Sequence, residues 1–144
     1  MSLIKPHIPS IQQAGVIPYI IKDDIIKYVL VTSRNHRHRW ILPKGMLEPN
    51  IPPWKSAMKE GFEEAGVYGE ISTQVCAHYQ YEKRHRICHV DMYLLRVIDL
   101  ATHWEEDFLR CRRICPYDEA CQLIFKRVKP VLFAAQQQLT AQFD

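Results

Sequence analysis

Dense, β-branched apolar runs cover Gln13 to Ile21 and Ile25 to Thr32, and Asp23-Asp24 interrupts them with polar turn residues. That pattern predicts a β-hairpin. After a polar stretch, Trp40-Ile41-Leu42 makes a brief third strand that delivers the chain to a sharp loop at Pro43-Lys44-Gly45. Residues 70–81 and 87–98 predict two more strands around a charged turn, Glu82 to Arg86. In the second of these, Val90, Met92 and Leu94 alternate with Asp91, Tyr93 and Leu95, the pattern of a sheet with one more polar face. Leu109 to Cys115 adds another strand. Helical punctuation is equally local. Asn50 and Pro52-Pro53 open a helix of about three turns that Gly66 closes, because proline suits the first helical turn and glycine the C-cap. Pro116 begins a short helix with acidic residues at its positive end, and Pro130 begins a last one through about residue 139, with Val131, Leu132, Ala135 and Leu139 free to pack on the sheet. Residues 1–12 read as a flexible arm.

At 144 residues and 47% hydrophobic, the chain has material for one packed core and is short for two. The expectation is a single domain over residues 1–144. There is no apolar run of about 18 residues to span a bilayer, and the opening MSLIKPHIPS has no signal-peptide core. Five cysteines form no CxxC pair, so neither a disulfide framework nor a zinc ribbon is indicated, and a cytoplasmic location follows. Cys111, Cys115 and Cys121 read as buried thiols rather than as a zinc site.

The net charge of +3 is small but uneven. Arg34, Arg37 and Arg39 alternate with His36 and His38, and Lys83, Arg84, His85 and Arg86 make a second basic cluster. Between them in sequence lie three glutamates on one helix, Glu60, Glu63 and Glu64. Residues three and four apart on a helix are neighbours, with Cβ atoms roughly 5–6 Å apart. These anions therefore repel one another, and they stand in the last turns, where the helix dipole opposes them. A divalent metal would relieve both costs. With basic clusters on either side, the pattern points to a polyanionic ligand held by metal at one end and by guanidinium groups at the other.

From Gly45 to Val67 the chain resembles the Nudix box of MutT-like hydrolases. That signature runs glycine, five residues, glutamate, seven residues, Arg-Glu, an aliphatic residue, any residue, Glu-Glu, any residue, glycine, aliphatic. Gly45 aligns with the first glycine, Glu60 with the glutamate of the Arg-Glu pair, Glu63 and Glu64 with the Glu-Glu pair, and Gly66-Val67 closes the box. Three positions depart: Ile51 replaces the first glutamate, Lys59 the arginine and Gly61 the aliphatic residue. In the family the first glutamate and the arginine orient the box, so the departures touch support more than metal ligands. The basic run before Trp40, the Glu82 to Arg86 turn, the Trp104-Glu105-Glu106-Asp107 loop and Lys129-Pro130-Val131 are most similar to the diphosphoinositol polyphosphate phosphohydrolase branch. Pro43-Lys44-Gly45-Met46, by contrast, matches the form common in dinucleoside polyphosphate and RNA pyrophosphohydrolases.

The resemblance implies an α/β fold, a Nudix-type α/β/α sandwich with a mixed β-sheet. It implies hydrolysis of a diphosphate linkage by attack of water on phosphorus. Metal would be Mg²⁺, with Mn²⁺ as a substitute, on Glu60, Glu63, Glu64 and the carbonyl of Gly45, and either Glu60 or Glu64 would take the proton. Arg39, Lys44, Lys83, Arg84, His85 and Arg86 would bind the phosphates of a small polyphosphorylated substrate. Nucleic acid enters only as a 5′-phosphorylated substrate, since the chain has no RNP-like motif. Tyr79, Tyr81 and Trp104 are available to stack on a nucleobase, which an inositol substrate lacks. Ile51, Lys59 and Gly61 also motivate an alternative, a Nudix-fold protein with weakened catalysis that binds a phosphorylated ligand as a sensor.

Overall fold

A computed structural model describes residues 8–142. Ten elements follow in order: β1 (Ser10–Lys22), β2 (Ile25–Thr32), β3 (Trp40–Ile41), β4 (Lys44–Met46), α1 (Pro53–Ala65), β5 (Val67–Lys83), β6 (Arg86–Leu100), β7 (Arg112–Pro116), α2 (Tyr117–Leu123) and α3 (Lys129–Ala141). All strands join one mixed sheet, ordered β3-β2-β1-β6-β5, with β4 on β1 and β7 on β2. Only β1 and β6 run parallel among the named pairs, over Ser10 to Tyr19 against Ile87 to Arg96.

Alternation along the strands builds two cores. Ile17, Tyr28, Leu30, Val90, Met92 and Leu94 face α2 and α3, where they meet Ala120, Val131, Leu132, Ala135 and Leu139. Their neighbours Val16, Val29, Val31, Tyr93 and Leu95 face the other way, with Ala57 and Ala65 of α1. The sheet is thus covered on both faces, the α/β/α sandwich expected. Tyr93 and Leu95 correct the expectation of a polar face, since α1 buries them.

Several boundaries move, each for a local reason. Ser10, Ile11 and Gln12, placed in the flexible arm from sequence, pair with Ile87, Cys88 and His89, so β1 is longer than its apolar run. Residues 1–7 of that arm lie outside the described residues. Pro43-Lys44-Gly45 leads into β4 rather than a loop, antiparallel to Gln13–Gly15. The approach is close: a Cβ on Gly15 would lie 2.8 Å from both Lys44 Cβ and Met92 Sδ. The segment before β7 is irregular, and that strand begins at Arg112. Both long hairpins turn on two residues with positive φ, Asp23 (53°) with Asp24 (64°), and Arg84 (51°) with His85 (62°). Such turns match the twist of the strands they join, although arginine and histidine adopt that backbone less readily than glycine.

Among the described residues no helix is long and apolar enough to cross a membrane. All five cysteines are free. Burial raises the Cys76 and Cys115 thiols to about 11, which keeps them protonated and poor metal ligands.

Candidate active site

Helix α1 places the carboxylates, and its ends explain how it can carry them. Pro53 opens it after Pro52, and Gly66, at φ 64°, closes it with its N–H bonded towards Gly61 and Phe62 carbonyls. Beyond that cap, Arg112 donates to the Ala65 and Ala101 carbonyls, both at 2.9 Å, and lies 4.3 Å from the Trp104 ring centroid. Trp104 Nε1 donates to the Glu64 carbonyl at 2.9 Å. These donors neutralise the negative end of the helix where the glutamates sit. Trp104 is therefore committed to α1 and Arg112, which corrects its reading as a base-stacking residue.

Glu60 and Glu64 point inward. Glu64 is 4% exposed, and a Cβ on Gly45 would overlap the Glu60 carboxylate. Glycine at 45 is what lets that carboxylate lie against β4. Burial first, and then the hydrogen bond and charge of Glu60, hold the Glu64 carboxyl well above the usual range, while Arg110 pulls the other way. Glu63 is also pushed up, by partial burial and by Glu60 and Glu105, and turns towards Lys59, 3.8 Å away. With the side chains so arranged, no three His, Cys, Asp or Glu groups among the described residues converge closely enough to chelate an ion. The donor set nonetheless fits a hard divalent cation: two crowded carboxylates against a bare backbone, with Glu63 three residues from Glu60 on the same helix.

The three departures from the box are resolved locally. Lys59 pairs with Glu48 instead of residue 51, and Ser56 Oγ accepts the Glu48 N–H at 3.0 Å. Gly61 is required by packing, because a Cβ there would sit 2.8 Å from Val16 Cγ2 and 3.2 Å from Val67 Cγ2.

Beside the carboxylates opens a cleft of about 290 Å³ whose lining includes Arg39, Lys44, Tyr79, Tyr81, Lys83 and Arg127. Lys44 stands where cleft and carboxylates meet. Its ammonium donates to Tyr81 Oη at 2.8 Å, and Tyr81 in turn donates to Gln13 Oε1 at 2.9 Å. Burial pulls Lys44 below its usual range against the opposing pull of Glu64. The Tyr81 hydroxyl is pushed up to about 12, chiefly by burial. Arg39 lies 4.2 Å from the Phe125 ring centroid, and Arg127 lies 5.1 Å and 5.3 Å from those of Tyr81 and Phe125. Tyr79 and Tyr81 stack at 6.1 Å. The cleft takes in Lys83 but not Arg84, His85 or Arg86, which stand exposed on the hairpin tip.

Sequence reasoning did not single out Phe125, Arg127 or Arg110. Phe125-Lys126-Arg127 was visible as an aromatic beside two cations just before α3. Arg110 lies in the run Arg110-Cys111-Arg112-Arg113, and nothing in that run marks which arginine turns inward.

A family model described as NUDIX domain matches residues 12–135. The chain belongs to the Nudix family. Human diphosphoinositol polyphosphate phosphohydrolase 3-beta is 36% identical over 78 residues, which is 54% of this chain and 46% of that protein. Mouse diphosphoinositol polyphosphate phosphohydrolase 2 is 32% identical over 78 residues, 54% of this chain and 42% of that protein. The match thus spans under half the length of these relatives. Among solved structures, a binary complex of the C. elegans Ap4A hydrolase superposes with a TM-score of 0.75 at 21% identity, covering 91% of this chain and 98% of that one. At these identities, the structural likeness defines the fold.

Proposed function

We propose that this chain is a Mg²⁺-dependent hydrolase that cleaves a diphosphate linkage in a small polyphosphorylated substrate, of the diphosphoinositol polyphosphate or dinucleoside polyphosphate type. The observation that carries this reading is the adjacency of two opposed environments. The crowded carboxylates Glu60 and Glu64 meet a cation-lined cleft, and Lys44 interacts with both. Relatives named for diphosphoinositol polyphosphates and for Ap4A support the substrate type.

Glu60, Glu63, Glu64 and the Gly45 carbonyl are the oxygens that would hold Mg²⁺ or Mn²⁺. When bound, such an ion neutralises phosphate oxygens and lowers the pKa of a coordinated water. Arg39, Lys83 and Arg127 hold the outer phosphates, and arginine suits this through its planar fork of donors. Lys44 orients the phosphate nearest the carboxylates. Water attacks phosphorus, the bond to the bridging oxygen breaks, and Glu60 or Glu64 accepts the proton. Arg84, His85 and Arg86 reach only a ligand that extends past the cleft. The aromatic faces of Phe125 and Tyr81 are already engaged by guanidinium groups, which favours a phosphate-dense ligand over a stacked base. Five free thiols support a reducing, cytoplasmic setting. The Glu48 pairing of Lys59 and the packing need for Gly61 weigh against the sensor alternative, since both departures leave the helix braced.

The test is incubation with Mg²⁺ and inositol pyrophosphates, dinucleoside polyphosphates, nucleotide sugars or 5′-triphosphorylated RNA, beside a Glu64→Gln variant. Turnover of one class, lost in the variant, is expected. Absence of product from every substrate, or equal product from the variant, refutes the hydrolase.

A further inference from the structure

Arg110 lies outside the sequence motif and off the cleft wall, yet its side chain is only 8% exposed. Each nitrogen of its guanidinium has a partner. Nη1 donates to the Thr32 carbonyl at 3.0 Å, Nε donates to Glu106 Oε1 at 3.0 Å, and Nη2 lies 3.4 Å from Glu64 Oε1. The backbone beside it is pinned to the same residue of β2: Cys111 N–H donates to Thr32 Oγ1 at 2.9 Å, and Thr32 N–H donates to the Cys111 carbonyl at 3.0 Å. The guanidinium is thus anchored where it stands. Around it are the side chains of Glu64, 5% exposed, and Glu106, 20% exposed, with Glu60 one helical turn before Glu64. Removing one partner from a buried ion pair leaves an uncompensated charge at large cost. A cation fixed beside carboxylate oxygens also opposes the entry of a second cation into the same field.

We propose that Arg110 is the built-in counter-ion of the carboxylate cluster: a positioning residue that keeps the cluster folded without metal and, by competing for the same negative charge, holds divalent-ion affinity in an exchangeable range. The inference rests on Glu60, Glu63 and Glu64 taking a divalent ion. Arg110 acts through Glu64 and reaches no substrate.

The experiment compares wild type with Arg110→Met and Arg110→Lys, measuring thermal unfolding with and without Mg²⁺ and binding of Mn²⁺ by electron paramagnetic resonance. Metal-free Arg110→Met is expected to melt well below wild type and to bind Mn²⁺ about tenfold more tightly, so that saturating metal closes most of the gap. Arg110→Lys keeps the charge and loses the fork, so it retains wild-type affinity with part of the stability loss. If metal-free Arg110→Met does not fold, refolding in saturating Mg²⁺ is expected to recover it, and failure to recover overturns the proposal. Equal or weaker Mn²⁺ binding by Arg110→Met, or a deficit in Tm that metal leaves untouched, also overturns it. A wild type that binds no Mn²⁺ removes the metal site itself and this inference with it, an outcome told apart because wild type is then blank.

Discussion

Two glycines of α1 and its approach have opposite reasons to exist, and substitution separates them. Alanine at 45 would drive the Glu60 carboxylate out of place. Because the obstructed group is the end of a flexible side chain, Gly45→Ala is expected to leave Tm nearly unchanged and to lower Mg²⁺-dependent turnover by about a hundredfold, as displacement of a site by about 1 Å can do. Alanine at 61 meets Val16 and Val67, which the core holds. Helix propensity favours Gly61→Ala by about 1 kcal/mol, but overpacking costs about 1–3 kcal/mol. The expected net result is a lower urea midpoint, and a midpoint equal to or above wild type would show that the helix can shift. Gly45 and the three glutamates were legible in sequence because their relation is local, set by spacing along one loop and one helix. Arg110, Phe125 and Arg127 were not, because only tertiary packing brings residues from distant elements to Glu64 or to the cleft.

The strands and helices were legible to nearly the same degree, since alternation and proline or glycine punctuation are local too. What escaped was β4, three residues without an apolar run, which exists only because Gly15 lets it approach β1. The C-terminal end of α1 is similarly a product of contacts from far away. Arg112→Ala removes the donor to Ala65 and Ala101 carbonyls and is expected to destabilise the fold by about 2 kcal/mol, read by chemical unfolding, with turnover reduced because Glu64 lies one residue before Ala65. Midway along, the helix is braced on the surface by Lys59 and Glu48. Since Lys59 already has a carboxylate, restoring the family pair with Ile51→Glu and Lys59→Arg is expected to leave turnover unchanged. A marked gain would show that Glu48 is a poor substitute.

At the scale of the whole molecule, buried charge gives stability a pH dependence whose sign follows from Glu64. Its carboxyl is raised above its unfolded value, so the fold favours the protonated form. That contribution is fully present below the unfolded pKa and is lost as pH rises through the folded one. Lys44 is shifted down, so its contribution is present above the unfolded lysine pKa and lost as pH falls through the folded one, a window on the alkaline side. As pH rises above the ordinary carboxylate range, the metal-free protein is therefore expected to lose Tm, with a shallower slope in Glu64→Gln and in saturating Mg²⁺, which holds carboxylates ionised. A slope identical in all three would assign the dependence elsewhere. The parallel pairing of β1 with β6 carries a different consequence, one of timing. Ser10 pairs with Ile87 and Tyr19 with Arg96, so the central seam of the sheet closes a loop of about half the chain, a slow event compared with zipping either hairpin. Gly45 depends on β1 for its seat, and Glu64 on the segment that follows β6. On a ribosome, α1 emerges before Arg110, the partner of Glu64, and before Lys83 and Arg127 of the cleft, so the candidate site is among the last parts of the molecule to come into being.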